Sequence, residues 1–344
     1  HEEKYRSWVL EYVDAWHDRM EANGGIIPTN IGLDGTIGGE ADGKWYGGVY
    51  GWGFSVIVPQ TGEWAHRNTH QLGFVGFMNA YMLTGDDRYL DAWRKQADVI
   101  NNQMKIVDGR PMYPRMYGKL GGDDARPAGW YDYTPSRYTA NALEIYYLSM
   151  DRDDLRGVPR HGWLAFLDGD NPDFPEQSLR GDLERVRSRV EGIRDDTTTP
   201  DTRLADDPMR LNPASVNSLI HLMLGGIHPG HRGAILNCRV RYFDPIAQRA
   251  GIPDDVAALV ERLTADEVTL TLVNVNQVEP REAVIQAGGY GEHQFQSVSQ
   301  DGRTLPLDET DVRVKLAPGA GSRLTFKLER YANPPTLSMP WDRG

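Results

Sequence analysis

At 344 residues the chain is long enough for more than one core, since single cores rarely outgrow about 250 residues. Its 49 acidic and 37 basic residues give a net charge of −12, which opposes a general grip on nucleic acid or on anionic membrane surfaces. The lone cysteine, Cys238, excludes an internal disulfide and a cysteine-rich metal site, and no apolar run reaches the ~18 residues that span a bilayer.

Residues 3–22 place Tyr5, Trp8, Val9, Tyr12, Val13 and Trp16 three and four apart, the stripe of an amphipathic helix, and Asn23-Gly24-Gly25 stops it. The glycine-rich stretch 24–68 has no helical period and predicts a long structured loop. Helical spacing returns from Thr69, breaks at Thr84-Gly85-Asp86-Asp87 and resumes through Tyr89, Leu90, Trp93, Ala97 and Ile100, which predicts a tight antiparallel hairpin. A second long loop is expected over 106–135. Further helices are expected over 135–150, 175–193, 213–224 and 254–263, with Leu179, Leu183, Val186, Val190 and Ile193 of the 175–193 helix facing the core. From Asp266 the period changes to two, and five short runs predict an antiparallel β-sandwich. The domains are therefore expected to be 1–264 (helical), 265–331 (β-sandwich) and 332–344 (an irregular tail on the surface of a neighbour).

If successive helices alternate in direction and none is hidden between Arg160 and Leu167, the long connections 24–68, 106–135 and 194–212 emerge at one end of the array, the expected place for a cleft. The hairpin AYMLTGDDRYLDAWRKQAD, the aromatic-rich loops and the trailing β segment resemble, in layout, the α/α-toroid polysaccharide lyases and six-hairpin glycosidases. The resemblance implies a mainly α fold, an α/α-toroid-like array of antiparallel hairpins with a C-terminal β-sandwich. It also implies a poly- or oligosaccharide substrate and a secreted or periplasmic location. Seven predicted helices are too few for six hairpins, so either the toroid is partial or its first helices lie upstream of His1, and a missing upstream segment or a homo-oligomer is the expected association.

Several groups of residues carry candidate chemistry. Trp45, Tyr46, Tyr50 and Trp52 sit among glycines, and Trp130, Tyr131 and Tyr133 lie beside Asp132 and Arg137; these rings either stack on sugars or pin their own loops. His66, Arg67, Asn68 and His70 bracket a helix start, where an anion is favoured. Tyr113, Arg115 and Tyr117 lie on the next loop and Asp201 on the third. β-Elimination beside a uronate carboxylate needs a cationic or amide group to hold the acid and a Tyr or His base. The expected assignment has Tyr113, Tyr117 or Tyr133 as base or acid with His66 assisting, Asp132 nearby, and Arg67, Asn68 and Arg115 on the carboxylate. A glycoside hydrolase using two carboxylates from Asp34, Glu40, Glu63, Asp132 and Asp201, or a glycan-binding protein without catalysis, are the alternatives. No cofactor is expected. His221, His228 and His231 match no standard zinc spacing, although a structural divalent cation stays open there.

Overall fold

The structure, a computed structural model, describes residues 3–48, 51–66, 68, 70–119, 127–199, 212–229 and 233–343, with backbone alone at 70 and 71. Among the described residues there are seven helices, 31% of the chain, against 28% strand. The expectation of a mainly α, toroid-like array is therefore overturned. Two segments account for much of the difference, because one read as loop and one read as helix are both strands. The chain divides into two units, His1–Val158 with Gly230–Ile235, and Pro159–Pro229 with Leu236–Gly344.

The first unit runs α1 (Glu3–Ala22), β1 (Ser55–Ile57), β2 (Trp64–His66), a 3-10 turn His70–Gly73, α2 (Phe74–Thr84), α3 (Arg88–Asn101), β3 (Lys105–Val107), β4 (Arg110–Gly118), β5 (Gly129–Thr134) and α4 (Ala142–Ser149). The predicted α2–α3 hairpin is present. Gly85 closes α2 in the left-handed region at φ 67°, and its N–H reaches the Tyr81 carbonyl at 2.7 Å. The two helices bury Phe74, Phe77, Met78 and Tyr81 together with Tyr89, Leu90, Trp93 and Ile100. On α1, by contrast, only Val13 and Met20 of the described residues are buried, and Tyr5, Trp8 and Tyr12 are exposed. The 106–135 loop is instead largely a three-stranded antiparallel sheet, β3-β4-β5. Its first turn is Asp108-Gly109, both at positive φ, which is the two-residue hairpin chemistry that joins right-twisted strands.

The second unit contains α5 (Gly162–Leu167), α6 (Phe174–Arg194), α7 (Asn217–Leu224) and the strands β6 (Gly226–Ile227), β7 (Asn237–Cys238), β8 (Val240–Asp244), β9 (Arg249–Ala250), β10 (Val256–Leu263), β11 (Glu267–Asn274), β12 (Arg281–Ala287), β13 (Gln294–Gln300), β14 (Arg303–Glu309), β15 (Asp311–Leu316) and β16 (Gly321–Glu329). The helix expected at 254–263 is strand β10, paired antiparallel with β11, because VAALVERL suits either period and the neighbouring strand decides. Helix α5 sits where the alternation argument could not tolerate one, so that argument no longer carries 194–212 to the end shared by the earlier loops. On α6 the face expected to meet the core is exposed at Leu179, Leu183 and Ile193.

Two antiparallel sheets, β10-β11-β16-β13-β14 and β15-β12-β8-β9, form the body of this unit. Val268, Leu270 and Leu272 of β11 and Leu324, Phe326 and Leu328 of β16 are buried at every second position, as a half-covered sheet requires. All of Ala283–Ala287 in β12 is buried, so this strand is covered on both faces. The tail contributes there: Arg343 donates to the Gln286 side chain and Trp341 meets Phe243 edge-on at 6.1 Å. Phe326 is fully buried, its ring 4.4 Å from that of Phe295. Phe326→Ala is expected to cost about 3 to 5 kcal/mol in urea unfolding, through lost burial and the cavity left behind.

His293 adds a pH dependence. Its Nδ1 accepts from the Tyr331 N–H at 3.1 Å, so a second proton has no place on that nitrogen, and its other nitrogen lies 3.2 Å from the Arg239 guanidinium. Burial, and then the charges of Arg239 and Arg330, hold the imidazole well below its ordinary 6.5. The unfolded chain therefore takes up a proton that the folded chain refuses, and this part of the stability is full above the ordinary value and lost as pH falls below it. Burial of the neighbouring Glu292 raises its carboxyl and works in the opposite sense. Wild type is expected to lose more unfolding free energy than His293→Gln between about pH 7 and pH 5. Equal losses would show that His293 is not the responsible group.

Candidate active site

Two cavities of the first unit differ in character. The larger, about 650 Å³, is lined by Tyr12, Trp16, Ile27, Phe77, Asn79 and glycines, with no acid, base or cation except the Tyr12 phenol among its lining residues. The second, about 290 Å³, is lined by His66, Asn68, Arg115, Asp132, Arg137 and Tyr138 together with Thr134, Ser136 and Thr139. Of these two, only the smaller offers groups for acid–base chemistry beyond a phenol.

The position of this cavity follows from an aromatic cluster behind it. Trp52 is fully buried and donates its indole N–H to the Ile27 carbonyl at 3.1 Å. Trp45 stacks on Tyr117 at 4.6 Å, and Tyr46 meets Tyr117 edge-on at 5.2 Å. Trp130 stands edge-on to Trp52 at 5.7 Å and to Tyr117 at 5.1 Å. These rings pack around Ile26 and Ile100, so Trp45, Tyr46, Trp52, Tyr117 and Trp130 hold the glycine-rich loop against β4 and β5. That contact is close. A Cβ on Gly53, which sits at φ 84°, would lie 2.6 Å from the Tyr117 carbonyl oxygen, so only glycine fits there.

With the loop fixed, the β1–β2 hairpin pairs Ser55 with His66 and sets both beside Tyr131 of β5. Ser55 Oγ lies 2.6 Å from His66 Nδ1 and 2.7 Å from the Tyr131 hydroxyl, which also donates to the Gly53 carbonyl at 3.2 Å. Burial raises the pKa of the Tyr131 phenol and so keeps its proton on. On the cavity side, Asp132 binds Arg115 through Nη2 at 2.6 Å and Nε at 2.9 Å. Asn68 donates to the Arg115 carbonyl at 3.2 Å. Arg137 differs. Its Nε is buried without a hydrogen-bond partner, and no acceptor for its guanidinium is found among the described residues; it lies over the Tyr113 ring at 5.4 Å. It also borders a cavity of about 260 Å³ containing Asp153 and Asp154, but Arg156 and Arg94 pair with those carboxylates.

Asp132 sits in a strand at φ 56°, in the left-handed region, and the β4–β5 ladder skips the Arg115–Asp132 pair while keeping register on either side. Non-glycine residues held this way store about 1 to 3 kcal/mol and concentrate at functional sites.

The cavity thus gathers four of the expected residues, His66, Asn68, Arg115 and Asp132, with Tyr131 directly behind His66. The tyrosines expected as base or acid stand elsewhere. Tyr113 is buried under Arg137, Tyr117 belongs to the aromatic cluster, and the Tyr133 ring lies under the Lys105 ammonium at 4.4 Å. Tyr50, Arg67 and Asp201 lie outside the described residues, as does His231, and His70 is described by its backbone alone. Sequence reasoning missed Ser55, which stands in no motif, and gave Arg137 no role, although it follows the aromatic run by only a few residues.

A family model for a domain of unknown function, DUF8034, matches residues 1–162 and 156–220. The chain belongs to this family. No curated protein and no solved structure matches it. The DUF8034 segment includes every lining residue of the smaller cavity, and also Ser55 and Tyr131. Among the described residues no group of three His, Cys, Asp or Glu side chains is arranged to hold a metal ion. Just beyond the matched segment, His221 stacks flat on Trp163 at 5.7 Å, and burial lowers its pKa.

The strain at Asp132 is testable. Asp132→Gly relieves the left-handed backbone, whereas Asp132→Ala keeps it, and both lose the half-exposed pair with Arg115. Asp132→Ala is expected to be less stable than Asp132→Gly by about 1 kcal/mol in denaturant titrations. Equal stability would mean that the backbone at this position is not held in the left-handed region.

Proposed function

We propose that the chain cleaves a uronate-containing glycan by β-elimination, with His66 as the base and Arg137 as the group that holds the substrate carboxylate. The observation that carries this reading is the guanidinium of Arg137, which lacks an acceptor among the described residues and shares a cavity with an imidazole. Arg137 is half-buried, and a buried Nε–H without an acceptor is costly, so an anionic ligand that accepts from it would remove that cost. A uronate carboxylate on Arg137 makes the C5 proton more acidic, because the charge released on removing it moves onto that carboxylate. His66 takes the proton, the C4–O bond breaks, and a C4–C5 double bond remains. The imidazolium can then return its proton to the leaving oxygen.

Arg115 plays a lesser part in this scheme, since Asp132 already neutralises it. The hydrolase alternative loses support at the same point. Asp132 is the one carboxylate among the residues lining the cavity, and Asp34 and Glu40 are engaged with the backbone of their own loop at Thr36 and Leu33. Inverting and retaining hydrolysis both need two facing carboxyl groups.

The test is the ultraviolet absorbance of the unsaturated product across a panel of uronate polymers. Turnover is expected for wild type. Arg137→Ala is expected to lower kcat/KM by about 10² to 10³, and His66→Ala to lower kcat by about 10² to 10⁴, with melting temperatures close to that of wild type. Reducing ends released without that absorbance, or turnover that survives Arg137→Ala, would defeat the proposal.

A further inference from the structure

The three hydrogen bonds behind His66 have only one consistent direction. The Gly53 carbonyl can only accept, so the single hydrogen of the Tyr131 hydroxyl is committed to it. The Tyr131 oxygen then meets Ser55 as an acceptor, and the single hydroxyl hydrogen of Ser55 goes there. Ser55 Oγ is left to accept from His66 Nδ1, 2.6 Å away. A neutral imidazole with its hydrogen on Nδ1 has a bare lone pair on Nε2.

We infer that Ser55 and Tyr131 are positioning residues that hold His66 in its Nδ1–H form and leave Nε2 as the basic atom. The inference rests on the reading of His66 as the base and adds to it the group that prepares that base. No proton travels along the chain. When Nε2 takes the substrate proton, the ring becomes a cation, and its Nδ1–H bond to Ser55 strengthens as a charge-assisted donor. The aligned hydroxyls of Ser55 and Tyr131 and the Gly53 carbonyl present their negative ends to that charge. Gly53 anchors the series, and the contact with the Tyr117 carbonyl that forbids a side chain there keeps its backbone in place.

The inference does not need turnover for its test. Long-range ¹⁵N–¹H NMR of the full chain labelled at histidine distinguishes the two neutral forms, and comparison with His66→Gln picks out His66 among the nine histidines. Wild type is expected to show the Nδ1–H pattern at neutral pH. In Tyr131→Phe the Ser55 hydrogen loses its acceptor and turns to His66 Nδ1, which moves the pattern to Nε2–H. Ser55→Ala is expected to do the same and Ser55→Thr to restore wild type, with circular dichroism unchanged throughout. In a uronate assay Ser55→Ala is expected to lower kcat about tenfold to a hundredfold at unchanged KM, the range for a weakened acid–base group. An Nε2–H pattern in wild type, or a pattern indifferent to both variants, overturns the inference even if the protein is active. The expected spectra together with no cleavage of any polymer would leave the positioning intact and remove the assigned reaction.

Discussion

Everything in the first unit that resembles a site depends on the burial of Trp52. Its ring lies at the centre of a cluster drawn from the glycine-rich loop, from β4 and β5, and from Ile100 of α3. A large aromatic side chain without solvent exposure is among the strongest single sources of packing free energy in a domain, of the order of 3 to 5 kcal/mol on truncation. Here it holds a segment that has almost no regular secondary structure of its own. Buried Gln96 assists, accepting from the Ile27 N–H at 2.8 Å and donating to the Tyr138 hydroxyl at 3.1 Å, so that α3, the loop and the segment between β5 and α4 are tied together.

The charges around the smaller cavity acquire their meaning from this frame. Arg115 and Asp132 face each other across the β4–β5 ladder and satisfy one another at the mouth, an exposed pair worth little in stability. Arg137 stands just after β5 with an aromatic face beneath it and its Nε buried without a hydrogen-bond partner. One cation is therefore neutral toward a ligand and the other is open to it. The larger cavity has more volume and several aromatic walls, but nothing in its lining could move a proton except the exposed phenol of Tyr12.

The second unit is organised differently. Its order comes from long antiparallel ladders, in which β11 and β16 share one continuous register and β12 is covered on both faces. Three of its buried ionisable groups, Arg239, Glu292 and His293, lie together. Both oxygens of Glu292 accept backbone N–H groups from Gly289 and Tyr290, and Arg239 and His293 fill the remaining space. Glu292 is thus satisfied by its own backbone, whereas Arg239 keeps a buried Nε without a hydrogen-bond partner.

Much of this was legible in the residue order, and the parts that were not share a cause. The α2–α3 hairpin could be read because its apolar spacing and its Gly85 stop are local, and β11, β12, β13, β15 and β16 because their apolar runs are local too, whereas β14 (Arg303–Glu309) was not legible. Strand β10 could not, since an eight-residue apolar run fits either period until a neighbour pairs with it. Asp108-Gly109 did carry a hairpin signal, outweighed by the glycines and prolines around it. At the site, the sequence by itself determined which chemical groups are available, His66, Asn68, Arg115 and Asp132 among them. Only the tertiary structure decided that Ser55 stands behind His66, that Asp132 satisfies Arg115, and that Arg137 is left open. Hydrogen bonds and ion pairs form between residues brought within about 3 Å, and positions 55, 66 and 131 reach that distance through strand register and the packing of Trp52, which no local pattern encodes.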